Sequence, residues 1–143
     1  MKKLLIVLML LFGFIHGHAQ TVTLSQLAGT KWIDTDLAAT GIHIIREFSR
    51  TQITYTAYIE SLDKTIVNTF DFYLSDKELS TFDKSKVGKA AKGDYIVIYN
   101  DKREVTECLR VMSFSKDKLT IFYKQQPGRI GSVNRTAVYD MVK

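Results

Sequence analysis

An alternation of apolar and polar residues with a period of two recurs along the chain after Gln20 and constrains its fold more than any other feature. In "TQITYTAYIE", for example, Ile53, Tyr55, Ala57 and Ile59 fall on one side. Alternation of this kind is typical of strands that bury one face. Threonine, isoleucine, valine, tyrosine and phenylalanine dominate these segments, and they suit a pleated, half-buried surface. The chain after residue 20 is therefore predicted to be all-β.

The pattern predicts a meander. Short polar connections such as "SLDK", "NDKRE" and "SKDK" favour hairpins. A meander of many strands in a small domain commonly removes its exposed edges by closing. We predict a single antiparallel up-and-down β-barrel of about eight strands, preceded by a short helical turn in "VTLSQLAG" that Thr23 or Ser25 caps and Gly29 ends. The predicted strands are residues 30–35, 42–49, 52–60, 65–74, 95–99, 105–114, 118–125 and 135–142.

The segment 75–94 is the weakest part of this assignment. A connection of that length without structure of its own is unusual in a compact domain, so "TFDKSKV" (81–87) is a candidate for an additional strand. The segment is also rich in lysine, which we interpret as a solvated face rather than a binding patch. These lysines are Lys77, Lys84, Lys86, Lys89 and Lys92.

Residues 1–19 have the pattern of a secretory signal peptide. Lys2 and Lys3 precede the apolar run "LLIVLMLLFGFI", and "HGHA" supplies the small residues of a cleavage site. Cleavage after Ala19 would leave a secreted or periplasmic domain, residues 20–143. The run is shorter than the roughly 20 residues of a membrane-spanning helix, so we expect no transmembrane anchor. No cysteine stands at the cleavage site, so we expect no lipid anchor either.

The composition of the mature domain excludes several classes of function. Removing Lys2 and Lys3 from the 20 basic residues leaves 18 against 15 acidic ones, and a net charge of +3 is too mild to indicate nucleic acid. His43 is the one histidine left after cleavage, so a multi-histidine metal site is not expected. Cys108 is the sole cysteine, so the domain has no internal disulfide. We expect no metal or other cofactor.

The start of the mature domain carries a family resemblance. "LAGTKW" resembles the G-x-W signature that opens the first strand of lipocalins, although two residues separate Gly29 from Trp32 here. "VMSFSKDKLTIFY" and "TAVYDMVK" also look like segments of the small lipocalin-like, calycin-type barrels that bacteria secrete. The resemblance implies that Trp32 packs across the closed end of the barrel as a plug.

The family also places a basic residue over this tryptophan, and Arg135 is the obvious candidate. Barrel geometry argues against it, because the first and last strands of an even-numbered closed barrel pair antiparallel. Met141 and Lys143 should then lie near Trp32, with Lys143 in reach of a cation–π contact, while Arg135 lies at the far rim.

Two arginines are predicted to point into the barrel. Arg46 lies in line with Ile44 and Phe48, and Arg110 is in line with Met112 and Phe114. A guanidinium in an apolar interior is costly unless an anion pairs with it. Fatty-acid carriers related to the lipocalins hold a ligand carboxylate with buried arginine, which is what the resemblance implies here. The candidate ligand-binding residues are Arg46, Tyr55, Phe72, Arg110, Met112 and Phe114.

Less specific interpretations of the same charges stay open. Either arginine could lie at a rim or pair internally with a carboxylate such as Asp71.

The remaining polar residues do not indicate catalysis. We interpret Asp34 and Asp36 as solvated strand-end and turn residues. Cys108 would need a base to act as a nucleophile, and His43 has the opposite strand parity from Arg46. No catalytic constellation is evident, so the chain is not expected to be an enzyme.

Two functions are compatible with these features. The first is binding of a small hydrophobic or amphipathic molecule, including an acidic, lipid-like one, inside the barrel. The alternative is a barrel whose interior is filled by side chains and which acts as a protein-interaction or inhibitor module. The loop 126–135 would then be the contact, because Arg129, Ile130, Val133 and Arg135 combine basic and apolar groups there.

Overall fold

The structure is a computed structural model that describes residues 20–126, 128 and 130–143; the predicted signal peptide, and Arg129 of the predicted contact loop, lie outside the described residues. It has two short α-helices, α1 (Leu24–Leu27) and α2 (Thr35–Ala38), and two 3-10 turns, Glu60–Leu62 and Lys84–Lys86. The strands are β1 (Val22–Thr23), β2 (Lys31–Asp34), β3 (Ile42–Phe48), β4 (Gln52–Ile59), β5 (Lys64–Ser75), β6 (Lys92–Gly93), β7 (Tyr95–Asn100), β8 (Val105–Phe114), β9 (Lys118–Tyr123) and β10 (Arg135–Met141).

Within the described residues, eight strands close into an antiparallel barrel in the order β10–β2–β3–β4–β5–β7–β8–β9. The barrel closes where β10 pairs with β2, which sets Met141 opposite Trp32 and Tyr139 opposite Asp34. The predicted all-β class and the closed barrel are therefore confirmed. Alternation and polar connections were sufficient signals, and each predicted barrel strand ends within two residues of the observed one.

One end of the barrel is closed by the N-terminal segment. The hydroxyl of Thr23 accepts a hydrogen bond from the Gln26 N–H, and the Gln26 side chain accepts one from the Thr23 N–H, so a capping box begins α1. Gly29 follows with a φ of +80°, a backbone conformation that glycine adopts without strain. Leu24 and Leu27 are buried in the core, so α1 forms the floor of the barrel.

Trp32 lies at this closed end, as the resemblance implies. Its side chain is fully buried and meets the Phe114 ring edge-on, with 5.8 Å between the ring centroids. Its Nε1 donates a hydrogen bond of 2.7 Å to the Thr30 hydroxyl, which satisfies the one polar group of the indole. Trp32 is thus a structural plug within the apolar floor, and Met141 is partly buried against the same core.

Apolar side chains fill the floor and the middle of the barrel. The rings of Phe48 and Phe72 pack edge to face, with centroids 5.7 Å apart. The other end of the barrel, where β2 ends at Asp34 and β10 begins at Arg135, we call the mouth. The buried residues that pack together in this interior cluster are Val22, Leu24, Leu27, Trp32, Phe48, Ile53, Phe72, Leu74, Ile96, Ile98, Leu109, Val111, Leu119, Ile121, Ala137 and Tyr139.

The predicted additional strand at 81–87 is wrong. Part of that segment is a 3-10 turn instead, and the segment is held to the outside of the barrel by Phe82, whose ring packs against Tyr73 and Tyr99. The short strand in this region is β6, which pairs with β1. Five lysines of the segment are exposed, as the solvated-face interpretation expects.

The plug can be tested by truncation. We expect Trp32→Ala to lower the free energy of unfolding by about 3–5 kcal/mol, because it removes a large buried ring and leaves a cavity. Trp32→Phe keeps an aromatic ring and should cost less. Chemical denaturation of both variants measures the loss, with Leu62→Ala, at a site 66% exposed, as a control of about 0.5 kcal/mol or less. A Trp32→Ala cost no larger than the control would contradict the plug.

Candidate functional site

Arg46 lies inside the barrel near the mouth. The pairing of β3 sets it opposite Trp32 on β2 and Tyr55 on β4, so it shares the inward face with both. Its guanidinium carbon is 5.2, 5.5 and 5.7 Å from the ring centroids of Tyr55, Tyr123 and Tyr139. Rings at this distance attract a cation through their negative faces. The predicted inward positions of Arg46 and Tyr55 agree with this geometry.

The charge of Arg46 is held by phenols rather than by a carboxylate. Its Nε donates a hydrogen bond of 3.1 Å to Tyr139 Oη, and it forms no ion pair with a carboxylate of the described residues. Burial lowers the pKa of Arg46, but Tyr123 and Tyr139 raise it and the net shift is upward. Arg46 therefore keeps its charge inside the barrel.

The predicted internal partner, Asp71, does not serve this role. Its carboxylate accepts a hydrogen bond of 3.0 Å from the Gln52 side chain at an exposed position.

Tyr123 and Tyr139 form the polar layer above the apolar core. Their hydroxyl oxygens are 2.5 Å apart, and either one can donate. Burial raises the pKa of Tyr123 well above its ordinary value, against the opposing effect of Arg46. Burial likewise raises the pKa of Tyr55, again with Arg46 opposing it. The phenols of Tyr55 and Tyr123 thus stay protonated near neutral pH and can donate hydrogen bonds to an acceptor at the mouth.

Asp34 is fully buried, so its interpretation as a solvated turn residue is wrong. It shares the inward face of β2 with Trp32, and this parity is the signal that could have revealed its burial. Its Oδ2 accepts a bond of 2.7 Å from the Arg135 guanidinium. Its Oδ1 accepts from the N–H groups of Asp36 and Leu37, at 3.0 and 3.1 Å, and so caps α2.

Arg135 begins β10 at the mouth, at the end opposite Trp32, as the pairing argument predicts. Burial lowers its pKa, whereas the hydrogen bond to Asp34 raises it, and the net shift is upward. Its side chain is 37% exposed, so it lies between the barrel interior and solvent.

Arg110 does not point into the barrel, which corrects the sequence prediction. It pairs with Tyr95 on β7 and Phe122 on β9, whereas its neighbours Leu109 and Val111 are the residues of β8 in the core. The reason is a β-bulge between Val111 and Ser113. Before the bulge Leu109 and Val111 point inward, and after it Phe114 does, so the inward side changes from odd-numbered to even-numbered residues. Arg110 lies on the outer face, with its guanidinium carbon 5.9 Å from the Tyr95 ring centroid.

The other predicted ligand-binding residues are dispersed. Met112 is the residue left unpaired at the bulge, and Phe114 lies beyond it against Trp32 at the floor. Phe72 is fully buried in the packed core. Arg46 and Tyr55 are the predicted residues that the fold brings together, and Tyr123, Tyr139 and the Asp34–Arg135 pair are the partners that sequence reasoning missed.

Cys108 and His43 lie on opposite sides of the barrel, because β8 and β3 are four strands apart in its closed order. Burial raises the pKa of the Cys108 thiol, the reverse of the shift that activates a nucleophile. His43 instead stacks on Tyr58 outside the barrel, with its Nε2 at 2.5 Å from Glu60 Oε1.

A cleft of about 900 Å³ opens beside this polar layer at the mouth. Tyr123 and Arg135 belong to its wall and so connect it with Arg46 and Asp34. The wall combines apolar and polar groups from three parts of the chain: Glu78–Ser80, Thr106–Leu109, and Tyr123–Gln126 with Ile130–Val133 and Arg135. The wall carries Lys124 and Arg135 as well as Glu78 and Glu107, next to hydroxyl groups and an apolar surface.

Comparisons with known proteins do not extend this description. No protein-family model matches the chain, and neither the curated proteins nor the solved structures contain a match. Among the residues described, no helix is long and apolar enough to cross a membrane. The same residues contain no group of three or more histidine, cysteine, aspartate or glutamate side chains arranged to hold a metal ion.

The buried pair at the mouth predicts a measurable loss of stability. Asp34→Ala removes both the helix cap and the partner of Arg135, so we expect a loss of about 2–3 kcal/mol in the free energy of unfolding. Asp34→Asn keeps an oxygen for the α2 N–H groups and should cost less. Denaturant unfolding of the two variants decides this, and an Asp34→Ala variant as stable as the parent would refute the assigned role.

The raised pKa of Tyr123 predicts how the stability of the protein changes at alkaline pH. Because the folded pKa of Tyr123 is raised, the unfolded chain releases this proton first, at about pH 10, and stability falls as the pH rises from there toward the folded pKa. In a pH titration of the folded protein, tyrosinate absorbance should therefore show an ionisation step above about pH 10 that Tyr123→Phe lacks. The free energy of unfolding of this variant should also fall less steeply as the pH rises. A Tyr123 phenol that ionises near pH 10 in the folded protein would contradict the assignment.

Proposed function

We propose that the chain binds a small amphipathic acid at the mouth of the barrel, with Arg46 as the anchor for its carboxylate. One observation carries the proposal: Arg46 is a charge inside the barrel without a carboxylate partner among the described residues. Burying a charge is costly unless it is paired, and a carboxylate meets a guanidinium with two parallel hydrogen bonds. The phenols of Tyr55 and Tyr123 supply further donors beside it.

The apolar part of the ligand would occupy the cleft at the mouth. Leu109, Ile130 and Val133 give this cleft an apolar wall, and its volume of about 900 Å³ is in the range of sites for small molecules. The packed core below argues for a short ligand that lies across the mouth, not for a long chain that enters the floor. The resemblance to lipocalins supports the same class of ligand, and the predicted signal peptide supports binding outside the cytoplasm. The proposed role is binding and includes no catalytic step.

Octanoate and octanol test the anchor, because they share a chain length and differ in charge. Calorimetric titration should show that Arg46→Gln weakens octanoate binding about tenfold or more, the effect of losing a charge-assisted hydrogen bond, while octanol binding changes little. Arg110→Gln is the matched control, since it removes the same charge from the outer face. Equal losses in both variants, or equal losses for both ligands, would contradict the role of Arg46.

The packed interior supports a second candidate, a protein-interaction or inhibitor module. Ile130 and Val133 in the loop 126–135 are 103% and 68% exposed, and such side chains suit a partner surface. Native mass spectrometry of residues 20–143, with an organic extract of the same sample, separates the two candidates. A lipid-sized mass released on denaturation supports the carrier. A protein that stays unliganded with octanoate and other fatty acids favours the module.

A further inference from the structure

Strand β5 has a long side without a strand partner. It pairs with β4 from Lys64 to Asp71, but β7 pairs with only Phe72–Ser75 on its other side. We call the stretch Lys64–Asp71, on the side away from β4, the free edge; no strand of the described residues covers it. Beyond Phe72, β5 therefore continues toward the mouth without a paired strand on this side.

The free edge presents unpaired backbone groups in a regular row. The N–H of Phe72 donates to the Thr51 carbonyl beyond the end of β4, at 3.0 Å. Antiparallel strands alternate the direction of their backbone groups, and the β4–β5 register is continuous, so even-numbered residues face β4. Thr65, Val67 and Thr69 then direct their N–H and C=O groups toward the free side.

The free edge also lacks the usual protection against pairing. Proteins block exposed edges with proline, bulges or inward charges. Residues 64–71 contain no proline, their pairing with β4 has no bulge, and their charged residues, Lys64 and Asp71, stand at the two ends. Ile66 and Val67 are 36% and 57% exposed, so the edge combines β-branched side chains with open hydrogen-bonding groups. An edge of this kind is a template for an added strand.

An acidic cleft of about 910 Å³ runs beside the lower part of the free edge. Its charged wall residues are Asp71, Asp101 and Glu104 against a single lysine, Lys84, although the mature domain as a whole is basic. The hydrogen bond of 2.6 Å from Lys102 Nζ to the Asn68 side chain links the turn between β7 and β8 to the free edge. An exposed lysine is a flexible bridge that an incoming strand can displace.

We propose that the free edge binds an extended, basic segment of a partner protein by strand addition. The backbone of the segment pairs with Thr65, Val67 and Thr69, and its lysine or arginine side chains face Asp71, Asp101 and Glu104. Charge decides between a partner and a second copy, because a second copy would bring the same three carboxylates into the contact. The surface is distinct from Arg46 and from the loop 126–135.

A labelled peptide of alternating lysine and valine is the probe, with a peptide of alternating glutamate and valine as its control. Fluorescence anisotropy measures binding to the mature chain, and amide hydrogen exchange reports on Thr65, Val67 and Thr69. We expect the basic peptide to slow exchange at these amides and the acidic one to leave them unchanged. Glu104→Gln should weaken the basic peptide severalfold.

Val67→Pro tests the proposed backbone hydrogen bond to the added strand, because proline has no N–H group. The Val67 N–H does not face β4, and proline is tolerated at the edge of a sheet, so this substitution leaves the pairing of β4 with β5 in place. We expect it to weaken the basic peptide about tenfold, the equivalent of one hydrogen bond, while Val67→Thr, which keeps the N–H, has little effect. A basic peptide N-methylated at alternate residues removes the same bonds without altering the protein, and it should bind as weakly. Octanoate binding should not change in either variant.

Three results would overturn the proposal: amides of the free edge that the basic peptide leaves unprotected, equal binding of the acidic peptide, or equal binding of the N-methylated peptide. A fourth is protection of these amides that rises with protein concentration in the absence of peptide and is lost in Val67→Pro. That result would identify a second copy of the chain as the occupant.

Discussion

The pairing of β10 with β2 is the contact on which the rest of the molecule depends, because it joins the two ends of the domain and closes the barrel. Its register sets Met141 beside Trp32 at the floor and Tyr139 beside Asp34 at the mouth. A shift of one residue would turn Trp32 and Asp34 to the outside together. The same contact thus determines where the barrel is plugged and where its interior charges lie.

The interior changes from apolar to charged between floor and mouth, and the charges are stabilised differently. Asp34 and Arg135 pair directly, and Asp34 also holds the first N–H groups of α2. Arg46 is surrounded instead by three phenol rings, which offer weaker compensation than a carboxylate. Because of this difference, rather than the size of the cleft, we propose Arg46 as the anchor for a ligand carboxylate.

The fold was predictable from the sequence because β-forming residues mark each barrel strand, most of these strands alternate, and most connections between them are short. Alternation also placed Arg46 correctly, since Ile44 and Phe48 flank it on a strand without a bulge. The same reasoning failed for Arg110, because the bulge at Met112 exchanges the two faces and has no signal in the residue types. The Asp34–Arg135 pair joins opposite ends of the domain, so local pattern could not reveal it.

Binding of a carboxylate by Arg46 is tested most directly by the nitrogen-detected spectrum of the arginine side chains during a titration with octanoate. We predict that the Nε–H signal of Arg46 moves saturably, because its bond to Tyr139 is rearranged when a carboxylate binds, while the signal of Arg110 on the outer face does not move. An Arg46 signal that is unaffected at saturating octanoate, or an Arg110 signal that shifts in its place, would contradict binding at the mouth.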